Sequence, residues 1–213
     1  MTQTRVRDGS EYVAELLSLI EFAQEVAKPK AAYSVAFVTE RDGDRIQIEG
    51  VWFTSQALAH NLETVERVFP LVATCGHEMD KAFSGKGDML KEFWWDLIKT
   101  HLLSAANKHL INHLKGKFHL GKTATMHPGS GDAIVWPIEQ QKDLFSLLYD
   151  VERELGIHLT ESFLMVPNKT ISGLLFPTET DFRSCKVCHR ENCPSRHAPF
   201  DKDLWEEIIR EWE

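Results

Sequence analysis

The sequence predicts an α+β fold built on a mainly antiparallel sheet. Amphipathic helical segments and short strands are mixed along the chain, without the strand–helix–strand rhythm typical of parallel sheets. The chain has 213 residues, 43% of them hydrophobic and 26% charged, which suits one domain with a substantial core. We therefore expect a single domain over 1–213, with an N-terminal helical extension at 1–30, a core at 31–177 and a tail at 178–213.

The N-terminal region predicts one helix and two strands. Apolar side chains recur at helical spacing over residues 10–27, where Ser10 can cap the start of the helix and Pro29 ends the run. Segments 33–38 and 45–53 are rich in β-branched and aromatic residues and are separated by a polar turn. These two segments are expected to form neighbouring strands.

The middle of the chain predicts a short helix, a buried strand and a long helix. The short helix covers 55–65, and the apolar run at 69–74 is typical of a strand with both faces covered. A long helix follows over 88–114. Its large apolar side chains indicate packing against a sheet.

The last third of the core predicts a glycine-rich loop at 127–132, a helix, and a hairpin. The helix carries leucines and valine at helical spacing and ends at Gly156. Strands at 158–166 and 170–176 are expected to pair through a turn at Pro167 and Asn168. A final helix is expected from Asp201.

Charge and segment composition exclude several function classes. The net charge is -8, whereas nucleic-acid binding requires clustered Lys and Arg, so we expect no nucleic-acid partner. No stretch approaches the length of a membrane-spanning helix, and the polar N-terminus does not resemble a secretory signal. We therefore expect a cytoplasmic protein without a membrane partner, whose thiols stay reduced.

The cysteines predict a metal centre. Cys185, Cys188 and Cys193 lie within nine positions, and a short loop can place three thiolates around one metal at little entropic cost. Cys75 supplies a fourth thiolate. Four thiolates suit a 4Fe–4S cluster or a tetrahedral zinc ion, and Pro194 directly after the third clustered cysteine favours the iron–sulfur alternative.

Two alternatives to that centre stay open. The clustered thiols can remain reduced and free, with Cys75 buried as a small apolar residue. His77 is a replacement ligand if Cys75 lies too far away. Residues 178–200 hold few large apolar side chains, so we expect the tail to depend on its metal for order.

One segment carries a family likeness. Residues 127–176 hold a Pro-Gly loop, then a helix, then Leu-Thr-Glu-Ser and Met-Val-Pro, then Ser-Gly on a strand. Upstream, Leu71 to Gly76, the pair Gly87-Asp88 and Ser104 to Ala106 occur in the matching order. The chain resembles, over about 45–180, the activation domain of cobalamin-dependent methionine synthase.

The resemblance implies a curved, mainly antiparallel sheet with flanking helices, and it implies a cofactor and a partner. The family binds S-adenosylmethionine and docks on a corrinoid-carrying domain, where it supports reductive methylation of inactive cobalt. The donor-binding loop corresponds here to Pro128, Gly129, Ser130 and Gly131, and Glu161 is the further candidate for ligand contact. A corrinoid would then be reached through a partner protein.

Two positions depart from the family pattern. An arginine that pairs with the donor's carboxylate is replaced by Thr125, and a glutamate on the long helix is replaced by Lys108. A lysine repels the cationic donor, so we expect weak S-adenosylmethionine binding.

These observations predict an accessory protein of a corrinoid-dependent methyltransferase system. It would reactivate or bind the corrinoid cofactor or its protein, and an iron–sulfur cluster would transfer electrons. Whether the chain catalyses a reaction itself stays open. The alternative is a non-catalytic module that binds a ligand or partner and holds a structural zinc ion.

Overall fold

The computed structural model describes residues 6–7, 9–83, 87–132, 134–193 and 196–208. Within these ranges a seven-stranded sheet has the order β4-β3-β2-β5-β9-β6, and β1 pairs with β5. Every pairing in it is antiparallel. A separate two-stranded sheet joins β7 and β8. The strands are β1 Lys30–Tyr33, β2 Ala36–Asp42, β3 Arg45–Ile48, β4 Val51–Thr54, β5 Arg67–Thr74, β6 Thr123–Met126, β7 His158–Leu159, β8 Met165–Val166 and β9 Thr170–Pro177.

Helices flank the sheet, so the α+β prediction is confirmed. They are α1 Tyr12–Val26, α2 Gln56–Asn61, α3 Glu78–Ala82, α4 Met89–Phe118, α5 Gln141–Ser146, α6 Val151–Leu155 and α7 Lys202–Ile208. None of the helices described is long and apolar enough to cross a membrane. The longest, α4, begins at Asp88, whose carboxylate accepts the N–H groups of Leu90 and Lys91.

The two central strands separate two cores. Side chains alternate between faces along a strand. On β5, Phe69, Leu71 and Ala73 pack against α4, and Leu175 of β9 joins them. The opposite face of the sheet carries Val68 of β5 with the second core. This core also includes side chains of β2, β3, β4, α2 and α7. Further members come from β6, β9, the 135–144 segment and the tail: Ala124, Met126, Val135, Trp136, Leu144, Leu174, Phe176, Phe182 and Val187.

A third core lies at the N-terminal corner. Leu16, Leu19 and Ala23 of α1 pack with Met79 of α3. Trp94 and Trp95 of α4 complete this core, and Cys75 lies within it. The predicted N-terminal helix is confirmed, and its apolar stripe is buried against α3 and α4.

The structure corrects the prediction for several strands. The strand expected over 45–53 is divided by a tight turn at Glu49 and Gly50, which both have positive φ. In the expected hairpin, the turn lies at 160–164 between β7 and β8, and β9 pairs instead with β5 and β6. Strand β6 was not predicted, because four residues after a long helix give too short a pattern.

Helical boundaries differ as well. The helix expected to end at Gly156 is two helices, α5 and α6, separated at Asp150, whose carboxylate caps Arg153 N–H. Helix α3 was not predicted. The final helix is present as α7.

The tail packs on the body through apolar side chains, and the expectation that its order depends on a metal stays a prediction. Phe182 and Val187 are buried in the second core, and Ile208 of α7 joins them. Such burial stabilises each side chain by roughly 1.5–3 kcal/mol. These side chains connect the tail to the body of the domain.

Candidate functional site

The candidate site forms where the terminal strand β6 runs into the Pro-Gly loop. Strand β6 pairs only with β9 in the described sheet, so its other side is an edge. The loop 127–132 follows directly, with Gly129 and Gly131 at positive φ. Gly129 N–H donates to the carbonyl of Trp136, which closes the loop. The arrangement presents Pro-Gly backbone beside a sheet edge.

His127 anchors this loop to the sheet. Its Nδ1 lies 2.6 Å from the carbonyl oxygen of Ser172, so Nδ1 carries the hydrogen and donates it. Burial lowers the pKa of His127 below its ordinary value, and the bond to Ser172 opposes that shift only partly. The imidazole is therefore held neutral, as one fixed tautomer.

Strand β9 is shaped to receive the His127 ring. A Cβ at Gly173 would lie 2.6 Å from both His127 Nδ1 and the carbonyl oxygen of Met126, so only glycine fits there. The neighbouring Ser172 hydroxyl accepts a hydrogen bond from Gln141 Nε2 at 2.5 Å. The Ser-Gly pair of the family likeness thus positions the loop through its backbone and small side chains.

The cysteine-rich tail lies directly on the loop. A Cβ at Gly131 would be 3.6 Å from Cys188 Cβ and 3.6 Å from the carbonyl oxygen of Ser184. His189 Nδ1 is 3.1 Å from a carboxylate oxygen of Asp132. Loop and tail form one surface, residues 127–132 with 182–193 and 196–198, which we call the loop–tail surface.

Arg196 organises the tail part of this surface. Its guanidinium donates to the carbonyl oxygens of Cys185, Cys188, Arg190 and Ala198 at 2.5–3.1 Å. A planar fork of N–H donors suits several acceptors at once. The loop that carries the cysteines is therefore wrapped around one cation.

Cys75 does not lie on the loop–tail surface. It follows Phe69, Leu71 and Ala73 in the strand alternation, on the α4 face, and it is fully buried in the N-terminal corner. Burial raises the pKa of its thiol to about 11, and the charge of Asp80 adds to the shift. The tail packs on the opposite face. The expectation that Cys75 joins the tail cysteines is therefore corrected.

The remaining thiols are free and unequal in exposure. Cys188 is buried, while Cys185 and Cys193 are partly exposed, and none of them forms a disulfide. The amide N–H of His197 donates to Cys185 Sγ at 3.5 Å. Within the residues described, no three His, Cys, Asp or Glu side chains are grouped closely enough to hold a metal ion.

His77, the replacement ligand, belongs to the Cys75 side of the molecule. Its Nε2 contacts the carbonyl oxygen of Gly156. This contact connects the start of α3 to the end of α6, so the structure gives His77 a structural partner away from the tail.

Glu161 is exposed in the turn between β7 and β8, so it does not lie on a strand as expected. Thr160 organises that turn: its hydroxyl accepts Leu164 N–H at 3.1 Å, and its N–H donates to the Leu164 carbonyl at 2.9 Å. The Glu161 side chain is free to meet a partner in solution.

Two positions, Thr125 and Lys108, depart from the family pattern, and neither supplies an arginine that could bind a carboxylate. Thr125 lies on β6 opposite Leu175, and Lys108 is exposed on α4. Arg196 is engaged by four carbonyl groups, and Arg183 lies beside Asp181 at 3.6 Å. Both arginines are thus engaged by groups of the tail itself.

An open groove lies on the other side of the sheet. It encloses about 670 Å³ between β1 and α4, and its lining includes Tyr33, Leu102, His109 and His113. The two histidines are exposed and lie one helical turn apart. This groove is separate from the loop–tail surface.

Sequence reasoning missed the residues that hold the site together. His127 stood next to the Pro-Gly pair, and Ser172 next to Gly173, but their contact depends on the pairing of β6 with β9. Arg196 is the other residue that holds this surface together. A guanidinium serving four carbonyls leaves no local sequence pattern.

Comparisons with known proteins agree with this fold. The family described as "Vitamin B12 dependent methionine synthase, activation domain" matches residues 95–194. Among solved structures, the "Crystal Structure of the MetH Reactivation Domain bound to AdoHcy" superposes with a TM-score of 0.57 at 17% identity, covering 83% of this chain and 70% of that one. No curated protein matches. The predicted resemblance and its fold are confirmed.

Proposed function

We propose that this chain is an accessory protein of a corrinoid-dependent methyltransferase system, because residues 95–194 match the model of the vitamin B12 dependent methionine synthase activation domain. It binds the corrinoid, or the protein that carries it, in support of reactivation. The observation that carries the proposal is the loop at 127–132, held beside the edge strand β6 by His127 and Ser172.

The loop and its neighbours supply a docking surface of suitable chemistry. Gly129 is exposed, so main-chain groups are accessible to a planar ligand or its protein. Ile134, Tyr149 and Leu164 are exposed apolar side chains of the connecting segments. Exposed apolar side chains and accessible main-chain groups favour a binding role.

S-adenosylmethionine fits this surface less well. Thr125 cannot make the bidentate pair that an arginine makes with a carboxylate. Losing one partner of such a buried charged pair costs about 2–5 kcal/mol of binding free energy. We therefore propose corrinoid or partner binding as the retained property and weak binding of the methyl donor. When bound, the donor would supply a methyl group.

A 4Fe–4S cluster that transfers electrons would lack a fourth cysteine ligand in this structure. A 4Fe–4S cluster takes four cysteine thiolates, and the chain has only Cys75 beyond the tail. Cys75 lies on the opposite face of the sheet. The alternative of a non-catalytic module with a structural zinc ion does not require Cys75, because zinc also accepts three thiolates and a histidine.

One titration series tests the proposal. Purified protein is titrated with cob(II)alamin and, separately, with S-adenosylmethionine, by absorption and calorimetry. We expect cob(II)alamin binding that weakens at least about tenfold in Ser130→Arg, a change worth about 1.4 kcal/mol. Asn112→Arg, an exposed site on α4, is the matched control and should leave binding unchanged.

The outcomes separate the two ligands. Equal effects of the two variants, or no interaction of the wild type with cob(II)alamin, would contradict the corrinoid proposal. S-adenosylmethionine binding at low micromolar concentration would show that the donor site is intact and that another group replaces the arginine.

A further inference from the structure

Strand β1 has a free edge on the side away from the loop–tail surface. In the described sheet β1 pairs only with β5, so its other side is an edge. The N–H of Ser34 donates to the carbonyl oxygen of Pro70 on β5 at 3.0 Å, which sets the alternation of this antiparallel pairing. The backbone N–H and carbonyl groups of Ala31 and Tyr33 therefore point away from β5. Within the described chain, these groups are left for an incoming strand.

The groove between this edge and α4, which we call the β1–α4 groove, has an apolar wall. Ala31 lines it from the strand, and Leu102, Ala105 and Ala106 line it from the helix. Its volume of about 670 Å³ is typical of ligand-binding clefts. Proteins bind extended peptides by pairing them with a sheet edge while alternate side chains enter neighbouring pockets. The β1–α4 groove offers both elements of that arrangement.

Basic side chains surround the groove in a chain whose net charge is -8. Between Asp96 and Asp132 the sequence holds five lysines and five histidines and no aspartate or glutamate. Lys30, His109 and His113 line the groove itself. The surface around α4 is therefore complementary to an acidic partner.

The lysines at the groove are not engaged by carboxylates of the chain. No salt bridge among the described residues involves Lys30 or Lys117. Lys117 Nζ donates instead to the Tyr33 hydroxyl at 2.8 Å. A carboxylate that enters the groove would meet these cations without breaking an internal ion pair.

We propose that the β1–α4 groove binds an extended, acidic peptide segment of another protein, which adds as a strand to β1. Apolar side chains of the segment pack against Leu102 and Ala105, and its carboxylates face Lys30 and the two histidines. The four residues of β1 match a segment of about four to six residues, since each residue of a strand extends it by about 3.4 Å.

Charge and polarity favour this peptide over two other occupants. Two copies of the chain, paired edge to edge through β1, would bring two basic grooves together, and like charges repel. A nucleic acid would meet the cations through its phosphates but would leave the apolar wall uncovered. An acidic segment with apolar side chains satisfies both features of the groove.

A displayed library of random heptapeptides, selected on the immobilised full chain, supplies the probe. We expect enrichment of peptides that combine carboxylates with apolar side chains. An enriched peptide carrying a fluorescent label is then titrated by anisotropy. Ala105→Trp fills the groove and should weaken binding at least about tenfold. Ser104→Trp, at an exposed neighbouring position that does not line the groove, is the matched control and should bind like the wild type.

Two further measurements separate charge from backbone pairing. His109→Glu should weaken binding about tenfold. Lys108→Glu changes the charge by more but lies next to the groove lining, so its effect should be smaller. N-methylation of every second peptide residue removes alternate N–H donors. It should abolish binding in one register and be tolerated in the other, because only alternate residues of an added strand donate to β1.

The outcomes decide between the occupants. Enrichment of no peptide, binding that survives Ala105→Trp, or equal binding of both N-methylated registers overturns the proposal. A dimer in sedimentation velocity that Ala105→Trp abolishes would assign the groove to a second copy, and single-stranded DNA binding with the same sensitivity would assign it to nucleic acid. Peptide binding is measured without any corrinoid, so its failure and that of the proposed function are distinguishable.

Discussion

The N-terminal corner and the loop–tail surface use cysteine in opposite ways. In the corner, Cys75 is fully buried among tryptophans and helices, and its thiol has a pKa of about 11. In the tail, Cys185 and Cys193 are partly exposed beside an arginine-centred loop. Because burial and neighbouring charges govern the reactivity of a thiol, the two environments predict different reactivity. The number and spacing of the cysteines in the sequence predicted that all four belong to one metal centre.

The largest difference we expect between the regions is in thiol reactivity. At pH 7 a pKa of about 11 leaves roughly one Cys75 thiol in ten thousand ionised, and reagent reaches it only after local opening. Cys185 and Cys193 in the metal-free protein should react at least about a hundredfold faster. Timed alkylation followed by peptide mass spectrometry measures the rates. Comparable rates at Cys75 would show that its corner opens readily.

The two regions also differ in how closely the backbone packs around a glycine. Gly76 and Gly131 have nearly the same positive φ, 94° and 92°. A Cβ at Gly76 would lie 2.6 Å from the carbonyl oxygen of Lys28, whereas at Gly131 the nearest atoms are 3.6 Å away. Any residue other than glycine would be strained at both positions, and the two positions differ in steric space.

Alanine at each position tests that difference. Strain alone should cost Gly131→Ala about 1–3 kcal/mol of unfolding free energy. Gly76→Ala should cost about 1–3 kcal/mol more, because backbone must move to relieve the clash. Urea unfolding of both variants measures this, and an equal cost would show that the link between α1 and β1 yields easily.

The sequence predicted the architecture better than the site. Helices α1 and α4 and the core strand β5 have long, regular apolar patterns, and each was placed within a few residues. The turn at Glu49 and Gly50 and the short strand β6 were missed. They depend on positive φ values and on pairing with distant strands, which local periodicity does not encode.

In the candidate site, too, local patterns were predicted and contacts between distant segments were not. The Pro-Gly loop was found through its motif, but its contact with the tail was not, because Gly131 and Cys188 are far apart in sequence. Cys75 was misplaced for a related reason. Spacing gives the separation of residues along the chain, whereas the face of the sheet to which a side chain points follows from strand register.

The smallest expected effect concerns pH and distinguishes the two regions once more. The loop side depends on His127, whose pKa is lowered in the folded protein by burial. In the unfolded chain its pKa returns to about 6.5, so below that pH the unfolded state binds the extra proton. The stability contributed by neutral His127 is therefore complete above about pH 6.5. This stability is lost as the pH falls towards the pKa of His127 in the folded protein, with a slope of at most about 1.4 kcal/mol per pH unit.

His127→Asn retains a donor for the Ser172 carbonyl but does not titrate. It should lower stability at pH 8 and weaken the decline between pH 6.5 and 5 relative to the wild type, as measured by urea unfolding at each pH. His109→Asn, on the exposed side of α4, is the control and should keep the wild-type decline. If His127→Asn declines as steeply as the wild type, another group is responsible for the acid sensitivity and His127 does not anchor the loop as a neutral donor.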